Sequence, residues 1–355
     1  MSINVLMCGG RRAGKTSVLA GIQKNMMDLF RSGDIVLNMQ NMGRLVEFRK
    51  ESESIFGYDY EDDDTFLADQ RLPTMNGVDY ECRVYMKDHS TRYDLCFTDV
   101  PGEWFIGSDS EISKLYDKLR AAHILVIAID SPHLMEDGGK YHQVFNRADR
   151  ITAHIKACFE GNTQQRMVIF VPVKSEVYRP ARDRSNRMKA LLEQVKTGYG
   201  DLINWLTTGA NQALYTVVVA PCFTFGGAEF YQFVPPIDPV TGQIERDSEG
   251  KPLQPIGIMP GGEQVMQYLT EYSLLRDAAN MHYYKPENCE QPLLYILLYL
   301  IAMCKVKGLF VQLWEALLGR TNNAELQACK DLLKPKIRQN PEAGFAILND
   351  PLHLI

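Results

Sequence analysis

Apolar and polar positions along this chain alternate in blocks of two kinds. Short, nearly unbroken apolar runs recur at Ile3–Met7, in "YDLCFTDV" from Tyr93, in "HILVIAID" from His123, in "MVIFVPV" from Met167 and in "LYTVVVAP" from Leu214. Runs of this length, bounded by glycine, proline or charge, read as strands buried on both faces. Between them lie longer stretches with helical spacing: "GKTSVLAGIQKNMMDLF", then Ser110–Ala122, Lys140–Phe159 and Ala181–Thr207. Strands alternating with helices predict an α/β fold, a mostly parallel sheet flanked by helices. One pair departs from that rhythm. "VDYECRVYM" and "YDLCFTDV" flank the polar "KDHSTR" and predict an antiparallel hairpin.

Two further segments stand outside the alternation. From Phe230, "FYQFVPPIDPVTGQIERDSEGKPLQPIGIMPGG" carries two turn signals, "DPVTG" and "DSEGK", and reads as an inserted β-hairpin or long loop. From about Glu290 onward the chain reads as helical and strand-free. The apolar helix Leu293–Cys304 comes first, followed by an amphipathic face of Leu309, Phe310, Leu313, Trp314 and Leu317. Asn322 and Glu325 mark a further helix start. The pattern divides the chain into a core over 1–227, an inserted hairpin over 228–262 and a C-terminal helical extension over 263–355.

Composition narrows the function classes. A formal charge of -6 excludes a general nucleic-acid binder, which carries a basic excess. The eight cysteines are scattered singly, without metal-ligand spacing, and read as buried free thiols of a reducing compartment. Leu293–Cys304 falls short of the roughly 20 residues a membrane span needs. With no transmembrane segment and no signal pattern, the expected location is cytoplasmic.

The chemistry begins in "CGGRRAGKTS". Gly9, Gly10, Arg11, Arg12, Ala13, Gly14, Lys15, Thr16 and Ser17 contain G-x-x-x-x-G-K-[ST] between a strand and a helix. Glycines there let successive N–H groups face phosphate oxygens at a helix N-terminus. Lys15 would reach the β- and γ-phosphates, and the Thr16 hydroxyl would take Mg²⁺. In "FTDVPGEW", Asp99 ends an apolar strand and Gly102 follows at D-x-x-G spacing. A carboxylate at that edge can hold a Mg²⁺-bound water, and a glycine amide can touch the γ-phosphate. In "FVPVKSEVY", Lys174 and Glu176 stand as a K-x-D/E base reader, Glu176 accepting two hydrogen bonds from a guanine edge. The asparagine usual before such a lysine is replaced by Val173. Ala220, Pro221 and Cys222 end the last strand, where a backbone amide would meet guanine O6.

This set resembles the P-loop GTPases of the Ras-like class over roughly residues 1–227. The strings "TDVPGEWF", "PVKSE", "FTFGG" and "KPENCEQPLLY" are similar to the bacterial double-GTPase family. The resemblance implies GTP and GDP as ligands, Mg²⁺ held by Thr16, Asp99 and a switch threonine, slow hydrolysis, and action as a nucleotide-dependent switch. It also implies a partner, a second GTPase or an effector, in a bacterial conflict or defence system. Thr74 is the expected switch threonine, with Thr65 as the alternative. A P-loop ATPase and a nucleotide-locked scaffold without turnover are the other readings.

Arg11 and Arg12 raise a separate question, because Ras-like loops keep a small residue at the β/γ-phosphate position. Glu103 also stands where a water-orienting glutamine is usual. Either an arginine acts in cis, with Glu103 positioning the water, or both arginines turn outward and Glu103 pairs with one of them. The basic residues Arg179, Arg182, Arg184, Arg187 and Lys189 read as a solvated helix start, with a patch facing a partner or nucleic acid as the alternative.

Overall fold

The computed structural model describes residues 2–29, 35–39, 65–67, 77–86, 92–181, 185–226, 228–234, 256–258, 264–266, 272–277, 285–317 and 323–355, with positions 43, 46, 47 and 50. Thr74, the acidic run 61–64, Arg182, Arg184, Gly227 and the two turn signals after Phe230 lie outside these residues.

The expected apolar runs form the strands β1 (Ser2–Cys8), β5 (Arg92–Asp99), β6 (Ile124–Asp130), β7 (Arg166–Val173) and β8 (Tyr215–Val219). With β2 (Ile35–Met39), β4 (Val78–Met86) and β13 (Ala346–Asn349) they make an eight-stranded sheet in the order β13-β8-β7-β6-β1-β5-β4-β2. The five central strands from β8 to β5 run parallel. The predicted hairpin is present: β4 pairs antiparallel with β5. The fold class is therefore the one expected, an α/β sheet, mostly parallel and flanked by helices.

Alternation along each strand sends side chains into two separate cores. Ile3, Val5 and Met7 of β1 join Val18, Leu19 and Ile22 of α1 (Lys15–Leu29) on one face. Leu6 and Cys8 join the other face. That second face is covered by α2 (Asp109–Ala121), α5 (Ala148–Phe159), α6 (Met188–Gly198) and α7 (Gly200–Thr207). The short helices α3 (Ser131–Met135) and α4 (His142–Phe145) follow β6 at the end of the sheet where the strands point.

Three expectations are corrected. The helix read as continuous from Lys140 to Phe159 is broken, because Arg147 adopts a left-handed conformation (φ 53°) between α4 and α5. The helix read over Ala181–Thr207 begins at Met188 and is interrupted at Tyr199. The region from Glu290 is not strand-free: β13 pairs antiparallel with β8 and forms one edge of the main sheet. Periodicity could not reveal β13, whose four residues follow a glycine turn and pair with a strand more than a hundred residues earlier.

The apolar helix does form, as part of α8 (Glu290–Leu317), which packs on α1. Its residues 291–301 are all buried, so it completes the first core. No described helix is long and apolar enough to cross a membrane. The amphipathic face from Leu309 to Leu317 lies on α8, outside the residues whose side chains are described. Among the described residues of and beyond the segment after Phe230, β9 (Ala228–Val234) pairs with β12 (Tyr272–Asp277), which also pairs with β3 (Thr65–Leu67), and β10 (Ile256–Ile258) pairs with β11 (Gln264–Met266). α9 (Asn323–Leu333) precedes the turn into β13.

Candidate functional site

Parallel register brings the chemistry-bearing ends of the strands to one edge. β1 lies between β5 and β6, with Met7 opposite both Asp99 and Val126. The glycine loop therefore leaves the sheet at the switch point where strand order reverses, the place where open α/β sheets bind ligands. Lys15, the first residue of α1, is buried and donates from Nζ to the carbonyls of Gly9 (3.1 Å) and Gly10 (2.9 Å). Burial pulls its pKa down, against the opposing pull of Asp99 and Glu103. Ala13 is buried beneath the loop, and Ser17 is buried one residue beyond Thr16.

The two halves of the expected phosphate site meet. The Thr16 hydroxyl donates to Asp99 Oδ2 at 2.7 Å, joining residues 83 positions apart. Asp99 is buried at the end of β5. A hydroxyl and a carboxylate are hard oxygen donors, the type that Mg²⁺ takes alongside phosphate oxygens and water. Among the described residues no group of three or more His, Cys, Asp or Glu could hold a metal by itself. Thr65 opens β3, but its side chain lies outside the described set.

The arginines of the loop separate. Arg11 is exposed and pairs with Glu103, Nε to Oε1 at 3.1 Å. Arg12 is half-buried and adopts a left-handed conformation at φ 61°. A third arginine is present. Arg147 donates from Nη1 to the Gly102 carbonyl at 2.8 Å, within electrostatic reach of Glu103, Arg11 and Lys15.

On the base side the structure differs from the sequence reading. Lys174 turns its ammonium inward, to Asp130 Oδ2 at 2.7 Å, and both side chains are buried. His133 Nδ1 lies 2.6 Å from the other oxygen of the same carboxylate. Burial alone would push the Asp130 carboxyl up, but His133 and Lys174 outweigh it and hold it well below the usual range. Glu176 is also buried, and its Oε1 accepts from the amides of Phe225 (2.8 Å) and Gly226 (3.2 Å). Both amides belong to the loop that follows Phe223. Burial raises the Glu176 pKa to about 7, against the pull of those amides and of Arg179. The amides of Ala220 and Cys222 are used within the sheet, donating to Phe170 O (2.9 Å) and Pro172 O (2.8 Å), and Pro221 has no N–H. The expected amide contact to guanine O6 from Ala220–Cys222 is thereby corrected.

The basic residues after Tyr178 are tied into the fold. Arg179 reaches Glu287 (3.0 Å) and the Gly226 carbonyl (2.7 Å), Arg187 pairs with Glu136 (3.2 Å) and Lys189 with Glu342 (2.6 Å). Sequence reasoning missed Asp130, His133, Asn146 and Arg147. Asp130 ends an apolar strand just as Asp99 does, and that was the available signal. For the break before α5, the signal was Asn146, a helix-terminating residue type, with an acidic Asp149 in the next turn.

Residues 63–203 match the family model described as Double-GTPase 2. That stretch is similar to the family over 141 of the chain's 355 residues. It holds Asp99, Gly102, Glu103, Lys174, Glu176 and Arg147, while the Gly9–Thr16 loop precedes it. No curated protein matches the chain. Among solved structures, the chain is similar to the S. cerevisiae Ski7 GTPase-like domain bound to GTP, at 12% identity and a TM-score of 0.33, over 62% of this chain and 43% of that one. The same domain bound to GDP and inorganic phosphate matches at 13% identity and 0.32, with the same coverage of 62% and 43%. The chain thus spans less than half the length of those structures, and at that distance they bear on neither substrate nor mechanism.

Proposed function

We propose that this chain binds GTP with Mg²⁺ at the Gly9–Thr16 loop, hydrolyses it slowly, and acts as a nucleotide-dependent switch. The observation that carries this reading is the 2.7 Å bond from Thr16 to Asp99 beside the buried Lys15 ammonium. In this reading Lys15 exchanges its two loop carbonyls for β- and γ-phosphate oxygens. Thr16 and Asp99 would hold the ion, which when bound would supply charge neutralisation for the phosphates. Glu103 orients the attacking water and takes its proton as the water oxygen bonds to the γ-phosphorus. The bond from that phosphorus to the β–γ bridging oxygen breaks, GDP leaves, and the proton ends on inorganic phosphate.

Two observations favour narrower readings. Glu176 is engaged by the amides of Phe225 and Gly226, which favours weak discrimination between guanine and adenine and keeps the ATPase reading open. Arg11 holds the Glu103 carboxylate, which favours a scaffold with little turnover until a partner draws Arg11 away. We propose further that its partner is a second GTPase or an effector of a bacterial defence system. The deciding experiment extracts nucleotide from the purified protein, then measures GTP against ATP competition and phosphate release. GTP or GDP in the extract with slow release supports the switch. Equal competition by ATP transfers the case to the ATPase, and bound GTP without release, with or without a partner, to the scaffold.

A further inference from the structure

Three backbones meet at the phosphate loop. A Cβ on Gly10 would collide with the Phe145 carbonyl oxygen, and one on Gly102 with the Arg11 amide nitrogen. The loop is therefore pressed between the D-x-x-G glycine on one side and the α4–α5 turn on the other. Only glycine permits either approach.

That turn is locked from below. Asn146 is fully buried, and its side chain bonds both backbone groups of Asp130, accepting from N at 2.7 Å and donating to O at 3.0 Å. Its amide nitrogen also lies 3.0 Å from His142 Nδ1. With Asn146 fixed, the left-handed Arg147 that follows is carried to the Gly102 carbonyl, 2.8 Å from Nη1. A guanidinium is charged throughout the working pH range and brings several donors in a fixed plane. Arg11 is exposed and paired with Glu103, so it is not the cation the fold holds against this glycine.

We propose that Arg147 is a positioning residue for γ-phosphate cleavage, a cation built into this chain's own connection between β6 and α5 that clamps the Gly102–Glu103 peptide onto the phosphate loop. Fixing the Gly102 carbonyl fixes the peptide plane that leads into Glu103, and with it the carboxylate assigned to the water. This rests on the nucleotide-switch reading above.

The test compares full-length Arg147→Ala and Arg147→Lys with the parent. GTP and GDP affinity are measured by titration, hydrolysis by single-turnover phosphate release, and amide hydrogen exchange over residues 100–107 in GDP and in a non-hydrolysable GTP analogue. Arg147→Ala is expected to keep GTP affinity within about threefold while hydrolysis falls at least roughly tenfold, the split that marks loss of transition-state positioning. Arg147→Lys, which can still donate to the carbonyl, is expected to recover part of that rate. Unchanged hydrolysis in Arg147→Ala, or affinity and rate falling together without recovery in Arg147→Lys, would overturn the assignment. If the parent binds GTP without turnover, exchange decides: the analogue-dependent protection of 100–107 must vanish in Arg147→Ala, and its persistence refutes the clamp. A parent that binds no nucleotide refutes the underlying switch reading instead, along with anything built on it.

Discussion

Lys15 and Glu176 show what burial does to opposite charges in one site. The Lys15 ammonium is held off solvent by two carbonyls, which are weaker partners than phosphate oxygens, so a nucleotide that displaces them gains charge-assisted bonds. Those bonds are worth about 1.5–3 kcal/mol each, and Lys15→Ala is expected to weaken GTP binding by roughly one to two orders of magnitude. Unchanged affinity in a calorimetric titration would remove the phosphate-loop assignment. Glu176 gives a pH signature. Its folded pKa of about 7 lies above the ordinary value of 4.5, so between those values the folded chain keeps a proton that the unfolded chain releases. The stability from this group falls as pH rises through that window and is flat above it. Glu176→Gln keeps an oxygen for the Phe225 and Gly226 amides without the titration. Its melting temperature should gain on the parent from about pH 5 to about pH 8, and a constant difference would assign the effect to another group.

Among the elements, the α4–α5 break is the one on which the site depends. Asn146→Ala would leave the buried Asp130 amide without its acceptor, a loss of about 1–3 kcal/mol. For a chain of this size that predicts a melting temperature lower by roughly 1–2 °C per kcal/mol, together with faster hydrogen exchange at Gly102 and Glu103. An unchanged melting curve would show that the break is held by something else. The same element marks the limit of what sequence reading gives. The strands β1, β5, β6, β7 and β8 were legible because burial on both faces demands unbroken apolar runs between turn residues. The loop at Gly9–Thr16 and the Asp99–Gly102 spacing were legible because their chemistry is local. Arg147 was not, since helical spacing continues across Asn146 and the partners that break the helix, Asp130 and Gly102, lie elsewhere in the chain. The Glu176 contacts were illegible for the same reason: its Oε1 accepts from amides 49 and 50 residues away.

For the molecule as a whole, the two cores require residues from nearly the full length of the described chain. Leu333, Phe345 and Leu354 are buried at 0%, 0% and 1% exposure, in the same core as β1 and α1. Each contributes about 1.5–3 kcal/mol on burial, against a typical net stability of about 5–15 kcal/mol. A chain ending at residue 322 is therefore expected to lose cooperative unfolding and sharp near-ultraviolet dichroism, and a truncated protein that melts like the parent would contradict the shared core. Removing residues 231–259 should spare nucleotide affinity while weakening any GTP-dependent partner association, which a pull-down in the two nucleotide states would measure.

The pairing of β13 with β8 has a bearing on how the protein is made. Val219 ends β8 and Ala346 opens β13, so 346 − 219 = 127 positions separate the sheet's edge from the strand that covers it. At about 5–20 residues per second of synthesis, β8 waits roughly 6–25 s on the ribosome with a row of amides and carbonyls unpaired. An open edge of valines in a nascent chain is a template for pairing with a neighbouring chain. Translation speed past residue 220, and the chaperones present during that interval, should therefore affect the yield of folded protein.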